Sequence, residues 1–237
     1  MQYMYIHTVD ENLVRDDARD AEIQEVLDSW LNETMSSGVN LQGSRLRPTS
    51  DATTVRVRRD EVTLTDGPFT ETKEQVAGYD IVECPSMEEA LAWAAKHPTA
   101  LIGSIEVRPL YEQVDKAVLP DEKPTTKRYM LIVCVDETIE LSPEEIAGIG
   151  PATDAWVTEA QGKGMRLFGS RLTGADEART LRISDGDVIV TDGPFAETKE
   201  QIAGIDVFEC ADLDVALDFA ARHPVATFGA LEVRPFW

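Results

Sequence analysis

Residues 65–84 read TDGPFTETKEQVAGYDIVEC, and residues 191–210 read TDGPFAETKEQIAGIDVFEC. The two stretches stand 126 positions apart, and the same offset holds far beyond them. It carries Tyr3-Met4 onto Tyr129-Met130, Trp30 onto Trp156, and Gly43-Ser44-Arg45-Leu46 onto Gly169-Ser170-Arg171-Leu172. It also carries His97-Pro98 onto His223-Pro224 and Glu106-Val107-Arg108-Pro109 onto Glu232-Val233-Arg234-Pro235. Residues 1–111 and 127–237 are therefore two copies of one domain-sized unit, too long a period for a solenoid. Between them lies EQVDKAVLPDEKPTT, residues 112–126, whose charges and prolines mark a linker.

Each copy opens on a strand, Tyr3–Val9 or Tyr129–Val135, and the nearly unbroken apolar run YMLIVCV predicts burial on both faces. A helix follows. In the first copy Ile23, Val26, Leu27, Trp30 and Leu31 recur at helical spacing. In the second, Ser142-Pro143-Glu144-Glu145 forms a capping box, and Gly148, Gly150 and Pro151 predict a break in the helix it starts. A strand ending in Gly-Ser-Arg-Leu comes next, then a hairpin whose first strand alternates Thr54, Arg56 and Arg58 with Val55 and Val57. The quoted segment begins where the hairpin ends. Asp-Gly-Pro is a turn, Thr72-Lys73-Glu74-Gln75 has the spacing of a capping box for one helical turn, and Gly78 would stop that turn before a strand. A second helix ends at His97-Pro98, and a strand through Ile102–Arg108 closes the unit.

The order β-α-β, hairpin, β-α-β describes two ferredoxin-like α+β domains. Two helices cover only one face of such a sheet, while the other face still carries apolar side chains. The tandem copy can cover it, so the expected architecture is two domains packed sheet to sheet as an intramolecular pseudo-dimeric α/β barrel.

The segment DGPF-(Thr/Ala)-ETKEQ, followed by Ala-Gly and a strand, resembles the signature of the YCII-related, or DGPF-domain, family. The opening YMYI and YMLI strands, the Ser-Pro-Glu helix start, the TVRV hairpin and the closing EVRP are similar to it as well, and the likeness covers both copies. The resemblance implies a dimeric α/β barrel with a cleft at the sheet interface, and says little about activity. Some YCII-type proteins carry a histidine and an aspartate proposed as a catalytic dyad, and many DGPF relatives carry a histidine on the first helix. Here the positions matching that helix histidine are Leu27 and Thr153, which weakens a histidine-based acid–base reading.

A formal charge of −22 excludes nucleic acid as a natural partner, since phosphates are repelled at long range. No apolar run is long enough to span a membrane. Three cysteines without a CxxC motif, and a start without a basic region before an apolar one, point to a reduced, cytoplasmic protein. No metal-ligand spacing, P-loop or dinucleotide fingerprint is present, so no metal and no cofactor is expected.

The polar candidates are Arg45, Asp66, Glu71 and Lys73 in the first copy and Arg171, Asp192, Glu197 and Lys199 in the second. Arg45 and Arg171 end a largely apolar strand and need a carboxylate, such as Glu106 or Glu232, or an anionic ligand. The DGPF–ETKE acids and lysines read first as a structural joint and second as ligand contacts. His97 and His223, before prolines, read as helix-end caps where a cation suits the dipole. His7, with Val133 at the matching place, could serve only one asymmetric site. The leading expectation is a small polar or anionic organic molecule bound in the inter-sheet cleft, with isomerase- or oxygenase-like chemistry open. The alternative is a non-catalytic interaction module, for example an accessory to an extracytoplasmic-function sigma factor. Whether the chain is an enzyme, and whether it oligomerises further, stays open.

Overall fold

In the first copy β1 (Gln2–Val9), α1 (Asp17–Ser36) and β2 (Asn40–Arg45) are followed by a hairpin of β3 (Thr53–Arg58) and β4 (Glu61–Asp66). Then come β5 (Gln75–Glu83), α2 (Met87–Ala94) and β6 (Gly103–Pro109). The second copy repeats the order as β7 (Lys127–Asp136), α3 (Pro143–Gly162), β8 (Arg166–Arg171), β9 (Arg179–Ser184), β10 (Asp187–Asp192), β11 (Glu200–Cys210), α4 (Leu213–Ala221) and β12 (Ala230–Pro235). The computed structural model describes residues 1–14, 16–114, 123, 125–136 and 138–237, so most of the linker expected at 112–126 lies outside the described residues.

The strands form two antiparallel sheets of the ferredoxin-like α+β kind, ordered β10-β9-β6-β1-β5-β2 and β4-β3-β12-β7-β11-β8. Each sheet ends on the hairpin of the other copy. Ile105 of β6 lies opposite Leu181 of β9, and Leu231 of β12 lies opposite Val55 of β3. The chain accordingly divides into two compact units that each combine one copy's βαβ pairs with the other copy's hairpin. Both hairpin turns place two consecutive residues at positive φ, Arg59 and Asp60 in one and Asp185 and Gly186 in the other. That is type I′ geometry, which Asp-Gly favours and Arg-Asp only tolerates.

The DGPF turn fastens each exchanged hairpin. Gly67 and Gly193 take φ of 102° and 94°, which a side chain would strain. The Phe69 N–H then donates to Glu232 Oε2 and the Phe195 N–H to Glu106 Oε2, both at 3.0 Å. These glutamates are fully buried, and each is paired with the arginine two residues on, Arg108 or Arg234. Burial pushes the Glu106 carboxyl up, opposed by Arg108 and by the Phe195 N–H. Glu74 and Glu200 of the ETKE segment receive an arginine of the arriving hairpin: Arg182 stands 3.2 Å from Glu74 and Arg56 2.5 Å from Glu200. The repeated segment thus makes the contacts of a joint.

Three local expectations change. Thr72–Gln75 is not a helical turn; the Thr72 hydroxyl donates to the Glu74 carbonyl instead, and Gln75 already belongs to β5. Gly78 therefore sits inside a strand, where a Cβ would come within 2.7 Å of the Ser44 carbonyl. Finally, α3 runs unbroken through Pro151. It is fixed at one end by the Ser142–Glu145 capping box and at the other by buried Trp156, whose Nε1 donates to the Phe219 carbonyl at 3.0 Å. One lost backbone bond at Pro151 does not outweigh those anchors.

Each helix-covered face carries its own apolar core. In the first unit Tyr3, Tyr5, Val82, Cys84, Ile105 and Val107 of the sheet pack with Trp30, Ala90 and Ala94 of the helices. In the second, Tyr129, Leu131, Phe208, Leu231 and Val233 pack with Trp156, Ala216 and Phe219. Glu106 and Arg108 alternate with Ile105 and Val107, so the buried ion pair occupies the opposite face of β6.

Candidate functional site

In the first unit a cavity of about 520 Å³ opens between α1 and the helix-covered face of the sheet. Strand register explains it. His7 of β1 lies opposite Gly78 of β5, and Gly78 lies opposite Arg45 of β2. With strands about 4.8 Å apart, His7 and Arg45 flank a row whose middle member has no side chain. The next row repeats the device: Asp80 is opposite Gly43, where a Cβ would fall 1.9 Å from Asp80 Oδ1. Ile23, Leu27 and Leu31 of α1 roof the space without filling it.

At the buried end stand His7, Asp80 and His97, none more than about one-twelfth exposed. His7 Nε2 is 2.7 Å from Asp80 Oδ2, and Asn40 Nδ2 donates to Asp80 Oδ1 at 3.0 Å. Because a carboxylate only accepts, His7 carries a proton on Nε2. His7 Nδ1 is shielded from bulk water and has no hydrogen-bond partner among the described residues. The His97 ring stacks on His7 at 4.2 Å and meets Trp30 edge-on at 4.7 Å. Its Nδ1 accepts the Thr99 N–H at 3.2 Å, and burial, with His7 beside it, holds its pKa well below the usual value. His97 is therefore a neutral acceptor capping the N-terminus of the 3₁₀ turn Pro98–Leu101, rather than a cation at the end of α2. His223 does the same for Val225, with its pKa lowered to about 4 by burial and by Arg166.

His7, Asp80 and His97 lie close enough together for a cation. The tautomer disfavours one: the bond from Thr99 leaves the His97 proton on Nε2, where a metal would need a lone pair. The cysteines offer no nucleophile either. None of the three is in a disulfide and all are buried, and burial raises the Cys84 and Cys210 thiols to about 11.

The residues singled out in the sequence are not gathered in one place. Arg45 lines the cavity. It does not meet Glu106, because the two lie on opposite faces of the sheet. Arg171 holds the equivalent row position opposite Gly204 and is exposed. Asp66 borders a separate surface groove with Arg47, Tyr129 and Trp237. Asp192 is exposed beside Arg179 at 2.9 Å, and Lys199 pairs with Asp136 at 3.1 Å. Glu71, Lys73 and Glu197 are exposed. Sequence reasoning passed over Asp80 and Asn40. The available signal was a carboxylate, Asp80 and Asp206, repeated inside an otherwise apolar strand, together with a histidine present in one copy only.

The fold and cavity define a tandem ferredoxin-like α+β protein with a glycine-floored cavity in its first unit. The YCII-related domain matches residues 1–113 and again 130–237, and the chain belongs to that family. A curated relative, uncharacterized protein R00369 of Rhizobium meliloti (strain 1021), is 53% identical over 68 residues, 28% of this chain and 55% of the relative. The chain thus spans about half the length of that relative. Among solved structures, a putative chlorite dismutase, TA0507, aligns with a TM-score of 0.46 at 10% identity, covering 99% of this chain and 94% of that one. Among the described residues no helix is long and apolar enough to cross a membrane.

Proposed function

We propose that this chain binds a small organic acid in the cavity of its first unit, with Arg45 as the anionic group's partner. The single observation that carries the reading is the cavity itself: a space of about 520 Å³ with Ile23, Leu27 and Leu31 over it, Asp20 and Gln24 on the same helix, one arginine at its wall and a buried polar cluster at its end. That composition is typical of small-molecule sites, which combine apolar lining with a few placed polar groups. The cavity lies on the helix-covered face, whereas the sequence reading looks for the ligand in the inter-sheet cleft. The two glycine rows explain the difference, because they remove side chains from beneath α1.

A thermal-shift screen against small carboxylic acids tests the reading, repeated with Arg45→Ala and with Arg171→Ala. A hit should lose about ten- to a hundredfold in affinity on Arg45→Ala, the value of a charge-assisted hydrogen bond, and should be unmoved by Arg171→Ala. Absence of any hit would sink the reading, and a hit indifferent to both changes would remove the arginine's role. The interaction-module reading draws on the outer strands of the hairpins, where Val62, Leu64, Val188, Ile189 and Val190 are exposed. It gains only if those positions, and not the cavity, govern binding.

A further inference from the structure

Resting on that reading, we infer that the acid bound in this cavity also carries a guanidinium group, which pairs with Asp80 above Gly43. The second unit shows such a group in the matching place. Asp206 lies opposite Gly169 as Asp80 lies opposite Gly43, and an added Cβ on either glycine would fall 1.9 Å from the carboxylate's Oδ1. The two carboxylates therefore hold one pose over one bare backbone position. In the second unit the space beside Asp206 belongs to the Arg166 guanidinium, whose Nε lies 2.5 Å from Oδ1 and whose Nη2 reaches over Gly169. In the first unit position 40, which matches 166, carries the shorter asparagine. Beyond the Asp80 carboxyl, the nearest atom over Gly43 is the Tyr79 carbonyl oxygen, and Gly43 and Asp80 both line the cavity.

Asp80 has acceptor capacity to spare. A carboxylate offers about four lone-pair positions. The partners of Asp80 among the described residues are His7 and Asn40, with His97 3.8 Å away, and none of them is a lysine or arginine. In the second unit Arg166 keeps 14% of its side chain exposed, so the place it fills opens outward. A guanidinium only donates, so the histidine tautomers that disfavour a metal ion do not oppose it. Arg45 and Asp80 share the helix-covered face, one strand and two residues apart, about 8 Å between their Cα positions. Asp20 lines the same cavity, whose wall thus carries both signs. A molecule bearing both charges also escapes the long-range repulsion that a chain of formal charge −22 imposes on a bare acid.

The test uses the full chain and pairs of acids of matched shape, with and without the guanidinium, titrated by calorimetry: guanidinoacetate against 4-methylpentanoate, and 4-guanidinobutyrate against 6-methylheptanoate. In at least one pair the guanidino member should bind about ten- to a hundredfold more tightly, the value of a charge-assisted hydrogen bond. Asp80→Asn should erase that preference, while Arg45→Ala weakens both members alike. Asn40→Arg should erase it too, by supplying the guanidinium from the chain itself. An arginine already stands at the matching place of the second copy, Arg166, so this variant is expected to fold. Equal binding of both members by the unaltered chain, or a preference that survives Asp80→Asn and Asn40→Arg, overturns the inference and leaves the proposed acid site standing. So does binding of neither pair beside an Arg45-dependent hit in the acid screen. Binding of neither pair, alongside an empty acid screen, overturns both.

Discussion

The ends of the two helix-covered faces differ in two side chains. In the first unit Asp80 is held by the His7 imidazole and the Asn40 amide, and the stacked His97 lies 3.8 Å away. In the second unit the matching places are Asp206, Val133, Arg166 and His223, and Arg166 Nε lies 2.5 Å from Asp206 Oδ1. The arginine lies close above Gly169, where it would come 2.4 Å from an added Cβ. One copy has thus closed its carboxylate against a guanidinium, and the other holds it between an imidazole and an amide. Duplication lets the fold be held twice while the proposed site occurs in one copy. What the copies share is structural: the Phe N–H on a buried glutamate, the histidine cap, and the tryptophan bonded to the following helix.

The shared parts set the largest expected effects. Glu106→Ala and Glu232→Ala should each cost about 3–5 kcal/mol in urea unfolding, because each strands a buried arginine and frees a DGPF turn. A much smaller loss at one of them would break the symmetry claimed for the two joints. Acid comes next. The His223 pKa is depressed to about 4 from an ordinary value near 6.5. The unfolded chain then takes up the proton first, so stability is lost as pH falls from about 6.5 to about 4 and changes no further from this group below that. The full loss is about 3 kcal/mol, and His223→Gln, which keeps an acceptor for Val225, should flatten that part of the pH profile.

The differing parts predict smaller effects. Asp206→Ala leaves Arg166 mostly buried without its partner and should cost about 2–3 kcal/mol. Asp80→Ala leaves an imidazole and an amide behind, with no guanidinium, and should cost about 1–2 kcal/mol. Reversal of that order in thermal unfolding would sink the contrast between a carboxylate paired with a guanidinium and one held by an imidazole and an amide. Smallest of all, the double change His7→Val with Asn40→Arg rebuilds the second unit's chemistry in the first. Stability should move by about 1 kcal/mol or less, while the response to organic acids disappears. Retained binding would show that these two positions do not distinguish the units.

The fold was legible because its signals were redundant. The constant offset between the copies, the alternation in β3, the capping box at Ser142 and the Asp185-Gly186 turn each act through neighbours a few residues away. The site was less legible. Arg45 was visible as a charge at the end of an apolar strand, but Glu106 as its partner was a guess about faces that the register of β1, β5 and β2 overrules. His7 could be recognised as asymmetric and no more, since Asp80, 73 residues away, meets it only across the β1–β5 ladder. The histidine caps were seen as caps, yet with the wrong charge. Whether an imidazole offers a lone pair or a proton depends on burial, which no spacing reports.

By itself the sequence determined the duplication, the order of elements in each copy and the fixed bend at each DGPF turn, because dihedral limits and local hydrogen bonds act within a few residues. Only the tertiary structure decided that each hairpin completes the other copy's sheet, and that two glycine rows open a cavity beneath α1. Those outcomes depend on which strands pair and in what register, a choice made by long-range burial and backbone pairing rather than by any short stretch of chain.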